Sequence, residues 1–201
     1  MRIIQDAISN GLLILAVLIM LYFIFVVGML DILIYPMLLL VGALTLRVFV
    51  NRKLLKDEEI DRTEQKTILV YYLLGLIGIG LGSWFVQGLY DFPIEKYVPS
   101  LVLSGSSFDI ALFTVLMAIV EEQFFRGELL EWMSNTMTPT TATIGNAAVL
   151  MCYHLGVYGT NPDNLLYVFI GGLTLALITV KSRRLLPAQL AHITNNLWSV
   201  L

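Results

Sequence analysis

The chain has 201 residues, of which 58% are hydrophobic and 13% are charged, and its mean hydropathy is +0.82. A soluble domain carries roughly 25% charged residues. The composition therefore excludes an ordinary soluble protein and predicts an all-α, polytopic helical membrane protein in a lipid bilayer. The net charge of -3 and the pI near 5.3 give no reason to expect nucleic acid as a partner.

Apolar segments in the first half of the chain predict three membrane helices. They span about Ala7 to Met29, Ile32 to Val50 and Thr67 to Tyr90, with the hydrophilic stretch Asn51 to Lys66 before the third. The third carries Gly78 and Gly82 on one face, which predicts that another helix approaches closely there.

Capping residues and prolines mark four further helices. Ser106 and Asp109 have the spacing of a capping box, which predicts the start of a fourth helix that runs to about Trp132. The later starts are marked by proline, which is favoured in the first helical turn: Thr138-Pro139, Asn161-Pro162 and Pro187. The sequence thus predicts about seven transmembrane helices in one membrane domain.

The basic residues predict the orientation of this domain. The loops between successive helices alternate between the two sides of the membrane. If the N-terminus is placed inside, every lysine and arginine except Lys96 falls on or toward the inner side. By the positive-inside rule, the N-terminus is then cytoplasmic and the C-terminus outside, as expected for a multi-pass protein of the cell membrane.

Three charged residues interrupt the predicted fourth helix. Glu121, Glu122 and Arg126 follow the apolar run 110–120, and ionisable side chains at that depth usually have a function. Glu122 and Arg126 are four residues apart and should pair, whereas Glu121 points about 100° away. Glu121 is then available as a general base. The alternative is a structural ion network at the inner membrane boundary.

The two histidines of the chain also lie in apolar segments. His154 falls near the end of the predicted fifth helix, where a lone histidine is more often structural. His192 and Asn196 share one face of the seventh helix, and Asn195 lies near the same stripe. Imidazole and amide donors on one face are suited to an oxyanion. Cys152 is predicted to be a core residue rather than a nucleophile.

These motifs, in this order, resemble the CAAX-protease and bacteriocin-processing family (CPBP, or Abi) of intramembrane endopeptidases. The resemblance rests on Glu-Glu-x-x-x-Arg at residues 121–126, His154 in the next helix and His-x-x-x-Asn at residues 192–196. The family usually has phenylalanine where this chain has Leu150, which keeps the apolar packing. The resemblance covers about residues 106–201 and leaves residues 1–105 as accessory helices.

The resemblance implies a role for each of the six candidate residues, around a polar intramembrane cavity. Glu121 would activate water that His154 helps to hold, and His192 and Asn196 would stabilise the oxyanion. Glu122 and Arg126 would support the motif helix. Members are also labelled metalloproteases, and a zinc site could use three of these residues: Glu121, His154 and His192. No His-Glu-x-x-His motif supports zinc, so we favour water activated by glutamate and histidine.

The length of the seventh helix conflicts with this arrangement. About 15 residues follow Pro187, fewer than the roughly 20 that span a bilayer. His154 and His192 can meet only if this helix begins sunk in the membrane or if a wet cavity reaches down from the cytoplasm.

Three classes of function are consistent with the sequence. The favoured one is an intramembrane peptidase whose partner is a peptide precursor or a membrane-protein substrate. A non-catalytic immunity or scaffold protein would keep the polar core for assembly. A small proton-coupled transporter would use Glu121 and the histidines as a relay.

Overall fold

The computed structural model describes residues 3–28, 33–49, 54–55, 62–90 and 106–200. These residues form helices and connecting turns, with no strand in the described ranges. In the N-terminal half, α1 is Ile3–Tyr22 and continues as a short π-helical stretch, Phe23–Val27, while α2 is Ile34–Phe49 and α3 is Arg62–Tyr90.

Residues 106–200 of the C-terminal half form four long helices. α4 is Ser107–Glu122 and continues without a break into the π segment, Gln123–Leu129, and a final α-helical stretch, Leu130–Thr136. α5 is Pro139–Tyr153 and is followed by the single turn Leu155–Tyr158. α6 is Pro162–Ser182 and α7 is Leu186–Val200.

Local capping signals place the helix starts where the sequence predicts them. Ser106 Oγ accepts the Asp109 amide at 3.2 Å, and Asp109 Oδ2 accepts the Ser106 amide at 2.9 Å, so the capping box is confirmed. Thr138 and Asn161 cap α5 and α6. α3 begins at Arg62 and not at the predicted Thr67. Glu64 forms an ion pair with Arg184 at 3.1 Å, which favours the helical conformation of this polar stretch.

Close helix packing at the glycines of α3 is confirmed. A Cβ atom at Gly78 would lie 2.5 Å from Thr174 Cγ2, and one at Gly82 would lie 2.6 Å from Ile170 Cγ2. Both neighbours belong to α6. The absence of side chains at these two positions therefore lets α3 and α6 approach each other.

α4 lies between two groups of helices. On one side it packs against α1 and α2, and on another against α7. The first contact is an apolar cluster that includes Phe23, Leu39, Leu116 and Ile119. Cys152, which we expected in the core, is exposed. It lies off the buried stripe of α5, which contains Asn146 and Leu150.

Two of the described helices are long and apolar enough to cross a membrane by themselves, and they span Thr63–Leu89 and Pro162–Ser182. Two shorter apolar helices, Ile14–Val27 and Ile34–Phe49, accompany them. α4 has a different character, because the charged residues of the motif follow its apolar part. The predicted total of seven spans stays a proposal.

Candidate active site

The contact between His192 and Glu122 places α7 beside the middle of the continuous helix 107–136. The π segment and the final stretch of α4 add 7 and 7 residues after Glu122. His192, which contacts Glu122, follows the first residue of α7 by only six positions. The short seventh helix can therefore reach the motif.

Glu122 is the centre of a buried ionic cluster. Its Oε1 lies 3.0 Å from Arg126 NH1 and 2.8 Å from His192 Nδ1. Arg126 NH2 donates to the backbone oxygen of Gly172 at 3.2 Å. The side chains of Glu122 and Arg126 have no exposed surface, and buried charges require such partners. The predicted Glu122–Arg126 pair is present, but the sequence did not predict the contact with His192.

Glu121 is held less tightly than its neighbour. Among the described residues, Glu121 forms an ion pair with His192, with 3.8 Å between Oε2 and Nε2, and its side chain is 7% exposed. The side chain of His192 is 14% exposed. The imidazole therefore lies between two carboxylates, in contact with Glu122 and facing Glu121. Such a carboxylate, unshared with a cation at bonding distance and slightly accessible, can take a proton from a bound molecule.

His154 is oriented by its own helix. It is the C-terminal capping residue of α5, and its Nδ1 lies 2.9 Å from the backbone oxygen of Leu150. A carbonyl oxygen only accepts, so Nδ1 carries the hydrogen, and Nε2 of the neutral ring is an acceptor. Tyr158 stacks on the ring at 5.8 Å, and Tyr153 meets it edge-on at 5.2 Å. Within the described ranges, no hydrogen bond or ion pair joins His154 to Glu121 or His192.

The two amides of α7 are coupled to each other. Asn195 Nδ2 lies 3.5 Å from Asn196 Oδ1, and Asn195 Oδ1 accepts a hydrogen bond from the Tyr167 hydroxyl at 3.2 Å. Although adjacent helical residues point about 100° apart, these side chains meet at their tips. Asn195 therefore cannot be treated as independent of Asn196.

Several buried polar residues were not predicted from the sequence. Asn146 has no exposed surface, and its Nδ2 donates to the backbone oxygen of Phe125 at 2.7 Å. An amide inside an apolar helix is the signal that could have revealed it. Glu131 is also buried and accepts the amides of Leu54 and Leu55 at 2.6 and 3.0 Å. It lies too close to the helix end to stand out in the sequence.

The zinc alternative is not supported by these positions. No three histidine, cysteine or acidic residues come together as a metal-binding group in the part of the chain that the structure describes. Glu121 and His192 face each other, but His154 is not assembled with them. In this arrangement the described residues do not form a three-ligand metal site.

Comparison with known proteins gives one similarity. Residues 103–198 match the family described as type II CAAX prenyl endopeptidase, Rce1-like. The matched range includes all six residues singled out from the sequence. No curated protein and no solved structure matches the chain.

Proposed function

We propose, from the match of residues 103–198 to the Rce1-like family of type II CAAX prenyl endopeptidases, that the chain hydrolyses a peptide bond of a membrane-associated protein or peptide precursor. The matched family is a membrane-integral protease family, which supports a CAAX-protease-like endopeptidase activity at the family level. We further propose seven spans, with the N-terminus cytoplasmic and the C-terminus outside. Residues 1–105 are accessory, and residues 106–201 carry the catalytic groups.

The observation that carries this proposal is the different bonding of the two neighbouring glutamates. Glu122 is held by Arg126 and His192, whereas Glu121 has no hydrogen bond within the described ranges and keeps some exposure. Glu121 can therefore take a proton from water while the water oxygen bonds to the scissile carbonyl carbon. Nε2 of His154, the nitrogen that does not face its own helix, is the acceptor proposed to hold that water.

The negative charge then develops on the former carbonyl oxygen. We assign its stabilisation to His192 and Asn196, which share one face of α7. Because Nδ1 of His192 faces Glu122, the ring nitrogen that remains for the oxyanion is Nε2. When the carbon–nitrogen bond breaks, Glu121 returns its proton to the leaving amine.

The test is cleavage by the purified protein in lipid nanodiscs. The substrate is a peptide ending in Cys-aliphatic-aliphatic-X, offered with and without a prenyl group. Glu121→Gln keeps the shape of the side chain but cannot accept the proton, so cleavage should disappear while the protein remains folded. Full cleavage by Glu121→Gln would overturn the proposed role of this residue.

The natural substrate can be identified by comparing the peptide termini in membranes of cells that carry the wild-type protein with those of cells that carry Glu121→Gln. Termini that depend on Glu121 support the peptidase. A cellular function that persists in Glu121→Gln favours an immunity or scaffold protein. Proton-dependent uptake by vesicles, without cleavage, favours a transporter.

A further inference from the structure

The catalytic motif continues into the π segment, a rare form of helix that often occurs at functional sites. The amide of Leu130 donates to the backbone oxygen of Phe125, five residues earlier. The side chains follow the same spacing, because Gln123 Nε2 donates to Glu128 Oε1 at 3.1 Å, also five residues apart. An α-helix would instead pair the oxygen of Phe125 with the amide of residue 129.

A side chain from another helix binds this π turn. Asn146 of α5 donates from Nδ2 to the oxygen of Phe125 at 2.7 Å, in addition to the bond from Leu130. A carbonyl oxygen has two lone pairs and can accept both. The orientation of the amide is fixed, because the group that faces a carbonyl oxygen must be the NH₂ group. Asn146 is completely buried, so its amide has no water to bind instead.

We infer that Asn146 is a positioning residue that holds the π register of α4 and thereby sets the geometry of the catalytic motif. The π segment begins directly after Glu122 and contains Arg126. Arg126 must reach both Glu122 and the oxygen of Gly172, at 3.0 and 3.2 Å. A change of register within these few residues moves the guanidinium relative to Glu122, and Glu122 in turn holds His192.

This inference rests on the proposed function for its effect on catalysis, but its structural part can be measured independently. The variant is Asn146→Leu, because leucine has the same branched shape as asparagine, with more bulk, and no hydrogen-bond donor. The matched control is Thr143→Val in the same helix. Thr143 is also buried, but its hydroxyl donates to Pro139 of its own helix at 2.7 Å. Backbone amide hydrogen exchange over residues 123–130 reports the register, and kcat and KM report the site.

We expect Asn146→Leu to raise exchange over residues 123–130 by about tenfold or more and to lower kcat by about 10²-fold with little change in KM. A displacement of about 1 Å in a catalytic geometry has an effect of that size. Thr143→Val should leave both quantities near the wild-type values. If Asn146→Leu does not fold, Asn146→Ala removes the same donor without added bulk.

Unchanged exchange and unchanged kcat in a folded Asn146 variant would overturn the inference. Exchange that rises equally in all helices, or equally in Thr143→Val, would also overturn it, because the effect would then be general destabilisation. Cleavage by Glu121→Gln at the wild-type rate would instead refute the proposed catalytic role. The exchange at residues 123–130 would still decide whether Asn146 holds the π register.

Discussion

Removal of the Arg126 side chain measures how far the buried ion pair supports the site. In Arg126→Ala, Glu122 loses a partner at 3.0 Å and the oxygen of Gly172 loses a donor at 3.2 Å. Loss of one partner of a buried pair destabilises a protein by about 3–5 kcal/mol. His192 remains 2.8 Å from Glu122, so we expect the low end of that range, ~3 kcal/mol.

The assay is thermal unfolding in detergent, followed by cleavage measured on the same preparation. For a chain of this size, ~3 kcal/mol corresponds to a decrease in Tm of roughly 6–12 °C. We also expect a large loss of cleavage at temperatures where the variant is still folded, because Glu122 would be held by His192 alone and the motif would lose the link from Arg126 to the oxygen of Gly172. The charge-preserving control is Arg126→Lys, whose single ammonium cannot serve Glu122 and the oxygen of Gly172 in the geometry of a guanidinium.

A double variant separates the loss of charge from the loss of packing. Glu122→Gln combined with Arg126→Leu removes both charges, so no carboxylate is left uncompensated. Its Tm should lie above that of Arg126→Ala, although cleavage stays impaired. A double variant less stable than Arg126→Ala would show that the uncompensated charge of Glu122 is not the main cost of removing Arg126. Wild-type Tm and wild-type cleavage in Arg126→Ala would refute the reasoning altogether.

Three other predictions concern the amides of α7, the end of α4 and metal dependence. Asn196→Ala should lower kcat by about 10²–10³-fold, with substrate affinity largely kept. Asn195→Ala should lower kcat less, through the contact of Asn195 with Asn196. If Asn195→Ala has the larger defect, the assigned register of α7 is wrong. Glu131→Ala leaves the amides of Leu54 and Leu55 without their acceptor, so limited proteolysis between α2 and α3 should become faster, and unchanged digestion would contradict this. A zinc chelator such as 1,10-phenanthroline should not reduce cleavage, and a loss that added zinc restores would bring back the metal alternative.

The parts of the fold that the sequence predicted well depend on neighbours within one helical turn. Ser106 and Asp109 are three residues apart, and their reciprocal bonds are formed. Glu122 and Arg126 are four apart, and their ion pair is formed. The geometry of a single helix dictates both contacts. Where the prediction failed, as at the start of α3, the deciding partner was distant, because Glu64 pairs with Arg184 from the other end of the chain.

The composition and the local motifs of the sequence alone determined the helical membrane class, the capped starts of α4, α5 and α6, and the choice of candidate residues. Only the tertiary structure decided which of these residues meet. His192 binds Glu122 across 70 positions of the chain, and Asn146 reaches the backbone of Phe125 across 21. Such contacts depend on the depth and rotation of one helix against another. Those quantities are set by packing over whole helix faces, such as the approach of α6 to Gly78 and Gly82, and no short stretch of sequence contains them.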